Sequence, residues 1–543
     1  MSHETPPPFS MPMFRAFVPK WVRPWIYVVQ AFCFQFSSGL YMGAMNNMIG
    51  ENAWMREDVL MCLYATLIGM ALYFPLLFRM KFHFTNKLLL CVSAAVIIAC
   101  NLVALLPLPR PVLWAICVVC GMAKIQGTFE NMSNIQLWMT PKRDFGVFFP
   151  ILHIILLTSI EVSAFLAAEF AFLHHWSLMH WFVCGLMLLV LCVQVLLTKP
   201  FHAMPQIVPL KGIDWLGLLL WTALCLQVTY ILNYGDWLYW WHSPQIRLLF
   251  GTSLLTLAVC LQRMWYHLQP YFEPAMWGYR HVVPIILLIG VVEMLFSCEH
   301  VLEMVYYEEV MHYADHIYER LNQWSLPGIW AGCLFSLGWL RLMRWNAYKL
   351  IAVGLAVFSL YAAGFYFLAD SSLNSEALRL PLVFRGFSYA VLSIALMWCL
   401  HEIMSFQHFF QALSIFNILH MFVGGLAGAA LHARGLNYYV ADGFARYSGY
   451  LDEVRGLQTP VDFARYMEQM VENLLAQNIK ILFGWTLYAA LFFALLMLLW
   501  DIPGVRRRVK HMQTWPRVGL QVLNGVRRQQ KLLRLRRKRS KME

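Results

Sequence analysis

The chain has 543 residues, of which 60% are hydrophobic and only 13% charged, about half the charge of an ordinary soluble domain. Mean hydropathy is +0.57, which excludes a soluble globular protein. Apolar runs of about 20 residues, each long enough to cross a ~30 Å hydrocarbon core as a helix, recur from end to end. Lipid offers the backbone no hydrogen-bond partners, so spans are helices or a closed barrel. Barrel strands are about 10 residues long with alternating polarity, whereas these runs are longer and do not alternate. The expected fold class is an all-α polytopic membrane protein.

Residues 1–24 form a Pro-rich lead without the small-residue cleavage site of a signal peptide. Fourteen spans are expected near 25–48, 57–78, 88–107, 111–139, 145–171, 176–198, 214–232, 246–266, 281–305, 325–340, 347–369, 381–404, 412–433 and 474–500. Charge alternation supports the even number. Arg79, Lys81 and Lys87, then Lys142 and Arg143, Lys199 and Lys211, Arg263 and Arg280, and Arg341, Arg344 and Lys349 fall in loops on one side, joined by Arg15, Lys20 and Arg23 of the lead. The opposite short loops hold little beyond Arg56, Arg110, Arg320 and Arg379. The positive-inside rule then places both termini in the cytoplasm. The tail 501–543 carries 14 basic and 2 acidic residues, so its net charge equals the +12 of the whole chain. Such a tail anchors orientation and suits anionic lipid. No nucleic-acid partner is expected beside fourteen spans.

Two outer segments stand out: the acidic, aromatic stretch 299–320 and the longest loop, 433–473, whose second half has helical apolar spacing leading into the last span. Trp237, Trp240 and Trp241 read as an interfacial belt. All thirteen cysteines lie in apolar runs, which argues against a disulfide framework. Cys117 and Cys120 make a CxxC on an apolar helix and are not read as a metal site. No GxxxxGK[ST] motif occurs, and no cofactor or metal is expected.

Ionisable residues inside spans are expensive and point to function. The stretch 121–134, GMAKIQGTFENMSN, holds Lys124, Glu130 and Asn131. On a helical wheel Thr128 and Asn131 lie within about 40° of Lys124, with Gln126, Glu130 and Asn134 forming a second polar sector. Glu161, Glu293, Glu299, Arg385 and His420 complete the candidates for a substrate or proton pathway. Glu299 and Glu303 form an i, i+4 pair; Glu303 and Glu169, near span ends, read as structural. Lys124 is expected to face a central cavity and to govern a carboxylate there, Glu130 or Glu161. The alternative is a buried Lys124–Glu161 pair that only holds helices together.

At this point the chain resembles a family, the fourteen-span drug:proton antiporter branch of the major facilitator superfamily. The likeness rests on Asp214, Gly217, Gly235, Trp237 or Trp241, and Ser243 around the seventh and eighth spans. It continues with Pro270, Glu273, Trp277 and Arg280 before the ninth, and with Ser414, Asn417, Gly424, Gly425 and Gly428 in the thirteenth. Departures are equally specific. Ala123 stands in the fourth-span Arg column with Lys124 after it, the loop 76–87 lacks the family's glycines and Asp, and His420 occupies another Arg column. The resemblance implies two six-helix bundles, 25–198 and 281–500, with two inserted spans in 199–280, and rocking of the bundles about a midplane site. It implies proton-coupled export of amphiphilic small molecules across a bacterial inner membrane. It also implies partnership with a periplasmic adaptor protein and an outer-membrane channel. Two other classes stay open: a non-transporting scaffold or receptor, and a membrane enzyme, for which His174, His175 and His180 form the only His cluster.

Overall fold

The computed structural model describes residues 14–36, 44–140, 144–202, 210, 212–370, 373–451 and 460–500. Among them are 13 helices long and apolar enough to cross a membrane, which fall on the second to fourteenth expected spans. The expected first span, 25–48, is described in two pieces, α1 (Arg23–Gln35) and α2 (Met45–Asn52), with the residues between outside the described set. Lys142, Arg143, Lys211 and the tail 501–543 also lie outside it. The remaining helices are α3 (Arg56–His83), α4 (Asn86–Ala104), α5 (Arg110–Met139), α6 (Phe145–Leu173), α7 (Leu178–Leu197), α8 (Trp215–Tyr234), α9 (Pro244–Tyr266), α10 (Val282–Val310), α11 (Asp315–Met343), α12 (Ala347–Leu368), α13 (Ser375–Ile403), α14 (Phe406–Tyr447) and α15 (Pro460–Trp500). Short polar residues stop the chain between them: Thr85, Asp144, Asp214 and Asn346 each accept a backbone N–H of the helix they begin, satisfying donors a helix start leaves orphaned.

The same close packing appears in both halves. Gly69 of α3 lies so near α5 that a Cβ would stand 2.1 Å from the Val118 carbonyl oxygen, and one at Gly121 would stand 2.1 Å from that of Thr66. In the other half, Gly328 of α11 and Gly386 of α13 would meet the carbonyl oxygens of Val383 and Ser325 at 2.0 and 2.1 Å. Without an apolar driving force between helices in lipid, small residues that let backbones approach supply the adhesion. Helices α8 and α9 pack on each other and α8 packs on α3. Arg263 donates to Asp214 at the foot of this pair, 2.5 Å away. Burial works against the Asp214 charge, but Arg263 and the Gly217 N–H hold its carboxyl below the usual range.

The two halves meet at both ends. At the end bearing the basic loops, Phe78 of α3 and Phe129 of α5 pack against Phe406 and Phe410 of α14, with Phe78–Phe410 centroids 4.4 Å apart. At the other end, Arg320 of α11 makes a two-pronged bond to Glu169 of α6 at 2.5 and 3.1 Å. There Asn46 also donates to Asp315 at 2.7 Å.

The stretch 433–473 differs from the expected loop. Helix continues through it to Leu451 and resumes at Pro460, so the described part is a helical hairpin. Its second arm runs into the last span as the apolar spacing suggests. His312, beyond the end of α10, bonds Glu472 of that arm at 2.9 Å, and this carboxylate raises the His312 imidazole above its usual range.

Candidate functional site

The site depends on an irregularity in α10. Over Glu299–Glu303 and again over Tyr306–Val310 the helix widens to i→i+5 hydrogen bonding. α14 does the same over His420–Gly428. Each widening accommodates an extra residue in a turn, and such turns concentrate at functional positions. The ninth span, expected to end near 305, therefore stays helical to Val310 and carries both Glu299 and Glu303.

They meet Arg385 of α13. This guanidinium is 2% exposed. It lies 2.5 Å from Glu303, 3.2 Å from Glu299 and 2.9 Å from the Asn322 side-chain oxygen. Glu161, from α6, also faces it. Glu319 of α11 lies beside Glu161 and Asn322. Two carboxylates of α10 thus touch one guanidinium, and Glu161 of α6 and Glu319 of α11 lie within electrostatic reach of it. Among the described residues, Glu303 Oε1, Glu319 Oε2 and the Tyr307 hydroxyl are buried with no hydrogen-bond partner. Glu299 is the more open member, with 24% of its side chain exposed. Glu161 arrives from the first half of the chain and the others from the second, so the cluster straddles the boundary between the halves.

Next to it, His420 bonds Glu293 at 2.7 Å. Gly424 is needed there, because a Cβ would stand 3.2 Å from the Glu293 carboxylate. His300, exposed on the same turn as Glu299, lies within electrostatic reach of Glu299, Glu293, His420 and Arg385. Of the residues singled out in the sequence, the structure therefore brings together Glu161, Glu293, Glu299, Arg385 and His420. It adds Glu303, Glu319, Asn322 and His300.

Lys124, Glu130 and Asn131 lie elsewhere, inside the first half. Lys124 is 1% exposed and lies on α5, against which α1, α3 and α4 pack. It is not the cation expected for Glu130. That role belongs to Lys81, whose ammonium lies 3.0 Å from Glu130 and 2.5 Å from the Ser133 hydroxyl. Asn86 donates to the same carboxylate oxygen at 2.5 Å. Lys124 and Glu130 are six residues apart, about 240° around the helix, which explains why one carboxylate cannot serve both. Glu161, the other expected partner, lies within electrostatic reach of Arg385. Asn131 turns back on its own helix and donates to the Gly127 carbonyl at 2.9 Å. Lys81, counted in sequence as a loop charge, is 6% exposed. Its long stem carries the charge into the fold, and nothing in the local sequence marks it apart from Arg79.

A buried pair stripped of one partner leaves an uncompensated charge that costs about 3–5 kcal/mol. Lys81→Met should therefore lower thermal stability strongly, and Lys81→Met with Glu130→Gln should recover most of the loss. Melting curves of the purified variants check this; a double variant no better than the single would show that the pair is not the stabilising unit.

No family model matches the chain, and no curated protein matches it. Solved structures do. The chain is similar to a peptide transporter, POT, in complex with sulfate, with a TM-score of 0.57 and 13% identity over 92% of this chain and 97% of that one. It is similar to the nucleoside transporter NupG, with a TM-score of 0.51 and 12% identity over 88% and 99%. It is also similar to the proton:xylose symporter XylE bound to 6-bromo-6-deoxy-D-glucose, with a TM-score of 0.51 and 11% identity over 89% and 95%. Likeness at such identities shows the fold, and the fold is that of the major facilitator superfamily.

Proposed function

We propose that the chain is a proton-coupled secondary transporter that exports amphiphilic small organic molecules by alternating access, in the manner of the fourteen-span antiporter branch. The observation that carries this reading is the Arg385 cluster. It holds more carboxylates than cations, it is buried, and it is shared by helices of both halves. Charge balance there calls for protons, and relative movement of α6 against α10, α11 and α13 changes how the carboxylates are shared. In this reading both termini are cytoplasmic in a bacterial inner membrane. The α14–α15 hairpin projects on the opposite side, where it offers a periplasmic adaptor, and through it an outer-membrane channel, a surface to grip.

The test is transport by the purified protein in proteoliposomes. With a pH gradient imposed across the vesicle, at least one amphiphilic compound of a chemically varied panel should accumulate against its gradient, and a proton ionophore should abolish the accumulation. Absence of gradient-dependent flux for every compound would overturn the transporter reading. Labelling of cysteines introduced near Tyr447 and near Arg527 from opposite sides of the membrane tests the orientation.

A further inference from the structure

We infer that the chain carries a separate binding site, at the end bearing the basic loops, for a small amphiphilic anion: one carboxylate, sulfonate or phosphate head on a flat apolar body. The site shares no residue with the Arg385 cluster, and binding there does not require transport.

The site is a cavity of about 300 Å³, the lower end of the ~300–1,000 Å³ that small-molecule sites occupy. Three parts of the chain wall it: the last turns of α3, the first turns of α14, and the links that lead into α8 and out of α9. The walls are pinned to one another. The Tyr271 hydroxyl donates to the Leu72 carbonyl of α3, and the Glu273 N–H donates to the Gln411 side-chain oxygen of α14 at 3.1 Å. The link after α9 is thus tied to both halves of the chain, and the cavity is pre-formed.

Charge decides which guest suits it. The lining includes Asp214, Glu273 and Arg79. Asp214 Oδ1 is taken by Arg263 and by the Gly217 N–H. Its Oδ2 is turned to the start of α8, where a Cβ at Gly217 would stand 2.3 Å from it. Glu273 uses both oxygens: Oε2 bonds His408 Nε2 at 3.0 Å, and Oε1 accepts from the Gln407 amide at 3.1 Å. Arg79 is different. It is half-buried, and among the described residues it makes neither an ion pair nor a hydrogen bond. A guanidinium is a planar fork of N–H donors that matches carboxylate and phosphate oxygens. A cation would meet carboxylates already taken and a guanidinium that repels it. The apolar side consists of Phe78 and Phe82 of α3 with Phe406 and Phe410 of α14, and rings such as these favour an aromatic body in offset or edge-on contact. Phe78 and Phe410 also join the two halves at this end. A guest held by Arg79 and resting on α14 therefore clamps that contact shut.

The probes are 2-naphthoate, its neutral amide 2-naphthamide, and 2-naphthylmethylammonium, which put different heads on one ring system. They are titrated calorimetrically into the purified full-length protein in phosphatidylcholine nanodiscs, with empty nanodiscs correcting for partition. Naphthoate should bind saturably, and the amide and the ammonium should be weaker by about tenfold or more, the worth of one charge-assisted bond. Arg79→Gln should weaken naphthoate by a similar factor and leave the amide unchanged, while Arg79→Lys should recover part of the loss. Should Arg79→Gln fail to fold, the order of the three probes still decides. Nanodiscs containing phosphatidylglycerol separate two sources of the anion. Competition by that lipid assigns the site to a lipid headgroup, undiminished naphthoate binding assigns it to a soluble anion, and either upholds an anion site. Equal binding of the three probes, preference for the ammonium, or unaltered naphthoate binding in Arg79→Gln would overturn it. In proteoliposomes saturating naphthoate should slow flux severalfold. Unchanged flux would remove the clamp and keep the site, and absence of flux without naphthoate would defeat the transporter reading while the binding result stands.

Discussion

Arg385→Met should abolish proton-coupled transport and lower stability by about 3–5 kcal/mol, the usual cost of orphaning a buried ionic partner. Its guanidinium reaches Glu303, Glu299 and Asn322 from a single planar fork, and no other cation among the described residues makes an ion pair with these carboxylates. Arg385→Lys keeps a charge but replaces the fork by one compact ammonium. That can hold Glu303 or Asn322 but not both in the same geometry, so folding should largely recover while transport recovers only in part. Arg385→Met combined with Glu303→Gln removes one charge of each sign and should restore melting behaviour without restoring flux. Thermal unfolding and proteoliposome flux on the same preparations separate the two contributions. Full transport in Arg385→Met would show that the cluster is only a strut.

The second large effect concerns the aromatic contact at the basic-loop end. Phe78 and Phe410 belong to different halves and their rings nearly touch. If access alternates, this contact must part during each cycle. In a background with the native cysteines replaced, Phe78→Cys with Phe410→Cys bridged by a short bifunctional thiol reagent should arrest transport almost completely, with recovery on reduction of a cleavable bridge. The corresponding bridge between Phe406 and Phe410, both on α14 and 5.4 Å apart between centroids, ties nothing across the halves and should leave flux intact. Unimpeded flux with the cross-half bridge in place would rule out opening at that end.

Spans were legible because they depend on length and apolarity alone. That is why α3 to α15 fall where hydropathy puts them. Helix ends were less so: Glu303, close to the expected span end at 305, reads as structural because a widened turn has no marker in composition, and Glu319 falls in the outer acidic segment. The i→i+5 register at Glu299–Glu303 is a tertiary accommodation, while Glu319 sits on the ordinary helical turn Asp315–Asn322. Lys124 shows the opposite limit. Its cost inside lipid was plain from sequence, but whether a buried lysine faces an opening or a packed interior depends on how α1, α3 and α4 pack on α5. Lys81 was missed because position in a loop hides how far a lysine stem can reach inward.

Helix α14 runs 42 residues from Phe406 to Tyr447, about 63 Å at 1.5 Å per residue, or twice the hydrocarbon thickness. One half is anchored at the His420–Glu293 contact and the other stands in the hairpin with α15. Mechanically this is a lever with its pivot inside the membrane. A tilt of about 10° at the pivot would sweep a tip about 40 Å away through about 7 Å. A small rearrangement at the His420–Glu293 contact would then be magnified at the hairpin, which makes its tip an indicator needle for the state of the interior.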